Sequence, residues 1–232
     1  MRFVIFSHSL VSDWNHGNAH FLRGIVRELT ARGHHVRVYE PRGAWSRENL
    51  IADRGPGAVE EFRAAFPTLD SQLYDPAALD LDMALDGADV VLVHEWNDHD
   101  LVARIGAARA RGGRFRLLFH DTHHRTMSDP HAMARYDLSA YDGVLAYGAV
   151  IAEIYRMMGW GRQVWVWHEA ADTALFRPLP AGRSRATSCG SAIGATASAR
   201  WKLASSCFCR SGRCTSGRGS TVCAIPPTRK AR

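Results

Sequence analysis

The first 170 residues alternate between short apolar runs and segments whose apolar residues recur at helical spacing. The runs RFVIFS (2–7) and HVRVYE (35–40) enclose a helical pattern that ends at Gly33, and together they predict one βαβ unit. Later runs cover 88–96, 114–120, 141–148 and 163–170, with helical patterns between them and a weaker strand near Leu73. Strands that alternate with helices predict a Rossmann-like α/β fold, in which a parallel sheet carries helices on both faces.

The last predicted helix and strand contain large apolar residues that we assign to the core. Trp165 and Trp167 alternate with valines in the run 163–170, and Met157 and Met158 end the helix before it. Such alternation is typical of a strand that packs on both faces. Core packing is therefore favoured over a stacking platform for a ligand.

Composition changes abruptly after Pro180. Residues 1–180 hold all 23 acidic residues, all 12 histidines and 19 arginines, whereas residues 181–232 hold eight arginines, both lysines, all five cysteines and no acid. The formal net charge of +6 therefore comes from the last part of the chain. We expect one domain over 1–180, without a disulfide framework, and a basic, low-complexity, poorly structured tail over 181–232.

Two interpretations of this tail are open. Its charge would suit a nucleic-acid-binding arm, but only Trp201 and Phe208 are aromatic, and neither belongs to a repeat. Alternatively the tail is translated out of frame, because shifted GC-rich codons yield mainly Arg, Ala, Ser, Gly, Pro and Cys, and a shifted reading of 185–199 permits the strand-like GDLVWIGNWGDGE. We favour the second interpretation and predict no nucleic-acid partner.

The N-terminus MRFVIFSHSL resembles a strand and lacks the charged, apolar and small-residue regions of a signal peptide. No run approaches the ~20 apolar residues that a membrane helix needs. We expect a cytoplasmic protein without a transmembrane segment, and peripheral contact with a membrane stays open.

Polar residues follow the predicted strands at their carboxyl ends, which is where open parallel sheets bind ligands. Histidine occurs at four of the six ends considered, which indicates a binding cleft along this edge of the sheet. The candidates are Ser7, His8, Ser9, Glu40, His94, Glu95, Trp96, His120, Asp121, His123, His124, Tyr147, His168 and Glu169.

The stretch FHDTHHRTMSDP (119–130) is the densest of these ends. Its histidines invite a metal-site interpretation, but neither an HExxH nor a paired-Cys spacing occurs, so we predict no metal. One or two of its polar residues could instead cap the next helix or bind backbone. A neutral imidazole that hydrogen-bonds or transfers a proton near pH 7 is favoured over a zinc ligand.

The loop 7–20 leads into the first helix, whose N-terminus offers free N–H groups and a positive dipole end to an anion. His16, Gly17 and Asn18 lie at this point. No GxGxxG occurs, which disfavours a nicotinamide dinucleotide. Asn18 could cap the helix, contact a ligand, or do both.

Four segments resemble the N-terminal domain of retaining, group 1 glycosyltransferases of the two-domain GT-B fold, in a bacterial subgroup similar to spore-maturation glycosyltransferase-like proteins. They are HGNAHFLRGIVRELTARGHHVRVYEP (16–41), ADVVLVHEWND (88–98), LLFHDTHHR (117–125) and the stretch 141–180, which contains HEAADTALFRP. In the last stretch Glu169, Ala170 and Ala171 replace the family's Asn-Gly-Val, while Asp172 is kept.

The resemblance implies transfer of a sugar from a nucleotide-diphosphate donor to an acceptor, without a metal and with no cofactor beyond the donor itself. It makes His120, with Asp121 beside it, the candidate catalytic residue. It also implies that this domain shapes the acceptor side and that a second domain, which the chain does not contain in frame, holds most of the donor site. The chain is then an incomplete or weakly active fragment. The expected substrate-binding residues are His16, Gly17, Asn18, His94, Glu95, His123, His168 and Glu169.

Other function classes are also open. The same cleft would serve a non-enzymatic module that binds a sugar, a nucleotide or a protein. Residues 120–124 could instead belong to a metallohydrolase. Absence of a bound metal from the purified protein would exclude that alternative. The donor sugar and the acceptor are not predicted.

Overall fold

The computed structural model describes residues 1–177, which form a seven-stranded, wholly parallel sheet in the order β3-β2-β1-β4-β5-β6-β7. The predicted α/β fold, with its parallel sheet and helices, is confirmed. The three-residue strand near Leu73 is present as β3 and pairs with β2. The strands are β1 (Arg2–Phe6), β2 (His35–Pro41), β3 (Gln72–Tyr74), β4 (Val90–His94), β5 (Arg116–Asp121), β6 (Gly143–Ala146) and β7 (Val164–Val166).

Helices connect the strands, as the apolar spacing predicts. Two short helices, α6 and α7, also occur within the stretch after β5, and α2 lies where no helix was predicted. The helices are α1 (Asn18–Ala31), α2 (Trp45–Arg54), α3 (Ala58–Ala65), α4 (Leu81–Leu85), α5 (His99–Ala110), α6 (Arg125–Ser128), α7 (Pro130–Met133) and α8 (Ala149–Met158).

The core consists of two apolar layers, one on each face of the sheet. Successive strand residues point to opposite faces, so Val91 and Val93 pack in one layer while Leu92 packs in the other. The first layer includes apolar side chains of α4, α5 and α8, and the second includes those of α1 and α3. Both faces of the sheet are covered, which is the usual condition of a parallel sheet.

The strand order reverses between β1 and β4. The chain runs outward from β1 through β2 to β3, then returns to the other side of β1 and continues through β4 to β7. Ligands of such sheets bind at the carboxyl ends of the strands beside this reversal. The loops after β1, β4 and β5 are therefore the first place to look for a site.

Three large apolar residues near the β7 edge of the sheet are more exposed than predicted. Trp165 is 43% exposed, Met157 is 70% exposed and Met158 is 56% exposed, so their assignment to the core is wrong. Within residues 1–177, β7 pairs only with β6, and Met157 and Met158 are the last two residues of α8. Trp167 is partly buried against the layer that contains α1.

Within residues 1–177, no helix combines the length and the apolar character needed to cross a membrane. The domain boundary at residue 180 lies outside the described residues. So does the basic tail over 181–232, with its nucleic-acid and frameshift interpretations.

Candidate functional site

Two histidines lie side by side where β4 and β5 end. The parallel register pairs His94 with His120, so both side chains project from the same face of the sheet. His120 Nδ1 lies 3.4 Å from His94 Nε2, and the two rings are nearly perpendicular with centroids 4.8 Å apart. Both residues are fully enclosed, which confirms that the strand ends bring them together.

Two more histidines extend this group toward the loop after β1. His8 is buried directly beyond β1, and its ring centroid lies 4.6 Å from that of His16. His16 Nε2 in turn lies 2.9 Å from the Ser46 hydroxyl of α2. We call His8, His16, His94 and His120 the histidine cluster.

Burial keeps the histidine cluster uncharged. It lowers the pKa of His8 to about 2, that of His16 to about 4 and that of His120 to about 3. The pKa of His94 is also well below its usual value, first through burial and then through the neighbouring imidazole of His120. Each ring is therefore neutral near pH 7 and offers one N–H donor and one acceptor nitrogen.

Aromatic rings enclose the histidine cluster. Trp45 and Trp96 pack against His8, with ring centroids 5.9 and 5.7 Å away. Trp167 and Phe21 pack against His120, at 4.9 and 5.8 Å. A few polar groups among aromatic rings are typical of small-molecule sites.

The loop after β1 is held by two buried charged side chains. Glu40 accepts hydrogen bonds from the backbone N–H groups of Leu10 and Val11, the latter at 3.0 Å. Arg23 donates to the carbonyl oxygens of the same two residues, at 2.9 and 2.7 Å. Glu40 is thus an anchor of the loop that carries His8 and His16.

The carboxyl residues next to His94 and His120 face the other side of the sheet. Asp121 accepts hydrogen bonds from the Thr126 hydroxyl of α6 at 2.6 Å and from the His123 N–H at 3.1 Å. Burial, followed by the adjoining Asp121 carboxyl, raises the pKa of Glu95 to about 11. Two carboxyl groups close together are stable only when one holds a proton, so the raised pKa means that Glu95 keeps its proton near pH 7.

Glu169 joins this pair from the segment after β7. In the amide orientation that satisfies its neighbours, Asn18 donates to both carboxylate oxygens of Glu169, at 2.7 and 2.8 Å, and accepts from the Thr122 hydroxyl at 2.7 Å. Burial, with the nearby Asp121, raises the pKa of Glu169 to about 7. The helix cap is Gly17 rather than Asn18. Asn18 instead links α1 to Thr122, directly after β5, and to Glu169.

Three other predicted contact residues are not part of the histidine cluster. His168 is exposed, and its Nδ1 bonds the Tyr147 carbonyl at 3.0 Å. His123 is half-buried and packs on Trp96, at 5.5 Å, and on His124, at 3.9 Å. Gly17 is exposed at the start of α1.

The segment after β7 docks on α1. Asp172 pairs with Arg27, and a Cβ at Gly24 would lie only 3.1 Å from the Asp172 Cβ. A cavity of about 330 Å³ lies between α1 and residues 170–174. Close packing at Gly24 therefore brings Glu169 to the strand ends.

His8 was predicted only as one of the strand-end residues, and Trp45 was not predicted as part of a site. Trp45 is the first residue of α2, which has few apolar residues, so no local pattern marks it as part of a site. Within residues 1–177, no three His, Cys, Asp or Glu side chains are arranged to hold a metal ion.

No family model, curated protein or solved structure matches the chain.

Proposed function

We propose that this chain is a glycosyltransferase-type protein whose described domain forms the acceptor side of a sugar-transfer cleft. The donor is a nucleotide-diphosphate sugar, and the acceptor is a hydroxyl compound. The observation that carries the proposal is the convergence of His8, His94 and His120, among aromatic rings, at the reversal of strand order.

The chemistry of the histidine cluster supports a sugar as ligand. A sugar hydroxyl donates one hydrogen bond and accepts others, and a neutral imidazole matches this because it does both. His120 Nε2 and His94 Nδ1 are buried without a protein partner in the described part of the chain. In the proposal these atoms hydrogen-bond the transferred sugar, while Trp167 and Phe21 keep the His120 ring in place.

Asp121 has a positioning role in this proposal. Its two oxygens are occupied by the Thr126 hydroxyl and the His123 N–H, so it orients the loop beyond β5. His120 is the residue that would touch the substrate.

Saturation-transfer NMR on the full chain with UDP-glucose, UDP-galactose and GDP-mannose tests the proposal. We expect saturation to reach the sugar protons of at least one donor, and His120→Ala to weaken its binding about tenfold, which corresponds to about 1.4 kcal/mol. His131→Ala, on the exposed side of α7, is the control.

Equal binding by the wild type and the His120 variant would remove His120 from the site. If no nucleotide sugar binds but simple sugars do, the alternative of a non-enzymatic binding module is correct. Release of nucleoside diphosphate from a bound donor would indicate transfer or hydrolysis.

A further inference from the structure

The hydrogen bond between His94 and His120 requires one proton between two buried rings. His120 Nδ1 lies 3.4 Å from His94 Nε2, and the two residues are 0% and 1% exposed. A neutral imidazole carries one N–H group and one bare nitrogen. Two bare nitrogens, or two N–H groups, that face each other away from water would both lack a partner, at roughly 1–3 kcal/mol for each group. One of the two facing nitrogens therefore carries the proton and the other accepts it.

This shared proton gives both rings the same tautomer. When the proton is on His120 Nδ1, His94 Nε2 is bare, so His94 carries its own proton on Nδ1 and both rings are Nδ1–H tautomers. When the proton is on His94 Nε2, His120 Nδ1 is bare and both rings are Nε2–H tautomers. Burial lowers the pKa of His120 to about 3 and that of His94 well below its usual value, so a doubly protonated ring is not an alternative near pH 7.

The outer nitrogens of the two rings then have opposite hydrogen-bonding characters. These atoms are His120 Nε2 and His94 Nδ1, and both are buried without a partner among the described residues. In the first state His120 Nε2 accepts and His94 Nδ1 donates, and in the second state the roles are exchanged. A group that bonds one outer nitrogen therefore determines the character of the other.

The opposite characters restrict the chemistry of a ligand that satisfies both outer nitrogens. A hydroxyl group both donates and accepts, so two hydroxyls of one sugar match either state. An ionised carboxylate or diphosphate only accepts, and an ammonium group only donates. Either kind of ion would leave one of the two nitrogens unpaired.

We propose that His94 and His120 form a tautomer-coupled pair, in which His94 determines through the shared proton whether His120 offers a donor or an acceptor to a hydroxyl ligand. His94 is then a positioning residue for His120. The coupling follows from the hydrogen bond between the rings, and the inference rests on the proposed function for the choice of sugar hydroxyls as the ligand.

Long-range ¹H–¹⁵N spectra of the full chain at pH 7 test the coupling. We expect His94 and His120 to show the same tautomer, or the same populations of the two tautomers. His99 is the internal control, because its Nε2 faces the Ala132 carbonyl oxygen at 2.9 Å and must carry a proton whatever the state of the pair. Opposite tautomers of His94 and His120 would overturn the proposal.

Two variants of His94 separate the coupling from packing. The amide of His94→Gln can turn to donate to His120 or to accept from it, whereas His94→Leu removes the bond. We expect His94→Leu to change the ¹⁵N shifts of His120 and to weaken binding of the nucleotide sugar about tenfold, and His94→Gln to bind more nearly as the wild type does. The control His131→Leu should change neither property.

Wild-type shifts of His120 together with wild-type binding in His94→Leu would contradict the positioning role. If circular dichroism shows that His94→Leu does not fold, the tautomers of the wild-type rings still decide the question. Titration with UDP and GDP tests the choice of ligand, because the nucleotides alone should not change the tautomers of the pair. A change as large as that caused by the nucleotide sugar would exclude sugar hydroxyls as the ligand.

The coupled pair and the proposed function fail separately. Matching tautomers of His94 and His120, without binding of any nucleotide sugar, would exclude the transferase proposal and leave the coupling in place. Binding of a nucleotide sugar that depends on His120, with opposite tautomers in the two rings, would exclude the coupling alone.

Discussion

At the scale of single residues, β4 and β5 each end in a histidine followed by an acid, and the two members of each pair serve different tasks. Because neighbouring strand residues face opposite sides, His94 and His120 meet beside α1, while Glu95 and Asp121 meet beside α6. The sequence places all four residues at one edge of the sheet. The sequence alone does not show that the pleat places two neutral imidazoles on one side of the sheet and two carboxyl groups on the other.

Glu95→Gln should stabilise the protein, and more so at higher pH. The pKa of Glu95 in the folded state is raised to about 11 from an ordinary value of 4.5, so above pH 4.5 the unfolded chain releases a proton that the folded chain keeps. This penalty grows by up to about 1.4 kcal/mol per pH unit. Glutamine has nearly the same shape, stays neutral at every pH and removes the penalty.

Urea denaturation at pH 5.5 and pH 7.5 measures this effect. The gain in free energy of unfolding from Glu95→Gln should be larger at pH 7.5 by roughly 3 kcal/mol. The control Glu60→Gln, on the exposed surface of α3, should show the same small change at both pH values. A gain for Glu95→Gln that does not vary with pH would show that Glu95 is ionised in the folded protein.

At the scale of elements, the strands and helices predicted correctly are those whose apolar residues follow a strong periodic pattern. β1, β4 and β5 are buried runs, and the apolar spacing of 21–29 defines α1. α2 was missed because its sequence, WSRENLIADR, has few apolar residues and only Ser46 and Leu50 are buried. Its position depends on tertiary contacts, such as the bonds from Ser46 to Ser12 and His16, at 2.8 and 2.9 Å. No local signal could therefore place Trp45 over His8.

Gly143→Ala should disrupt the contact between β6 and β7. A Cβ at Gly143 would clash with Trp165 Cζ3 and would lie 2.8 Å from the Gln163 carbonyl oxygen. The backbone oxygen cannot move without shifting the strand. Overpacking of this kind costs about 1–3 kcal/mol, so Tm should fall by several degrees.

Gly57→Ala is the matched control for this change. Gly57 has φ −68° and no atom within 4 Å of an added Cβ, so its substitution should change Tm little. A Tm for Gly143→Ala equal to that of the control would mean that β7 does not pack on β6 as described.

At the scale of the whole molecule, the sheet topology determines where the site lies. The alternation of strands and helices predicts the parallel sheet. In such a sheet ligands bind at the carboxyl ends of the strands, so His94 and His120 could be predicted to lie near each other at that edge. Three features of the site join parts of the chain that are distant in sequence. They are the aromatic rings around the histidine cluster, the loop anchors Glu40 and Arg23, and the link from Asn18 to Glu169. These depend on how the loops pack and could not be predicted from local patterns.

The most direct test of the central claim follows the imidazole rings themselves. Long-range ¹H–¹⁵N spectra of the full chain at pH 7 should show His8, His94 and His120 as neutral rings. On titration with the nucleotide-diphosphate sugar that binds, the His94 and His120 signals should shift while that of the exposed His131 stays in place. Signals of His94 and His120 that do not change when the sugar nucleotide is bound would contradict the assignment of this site.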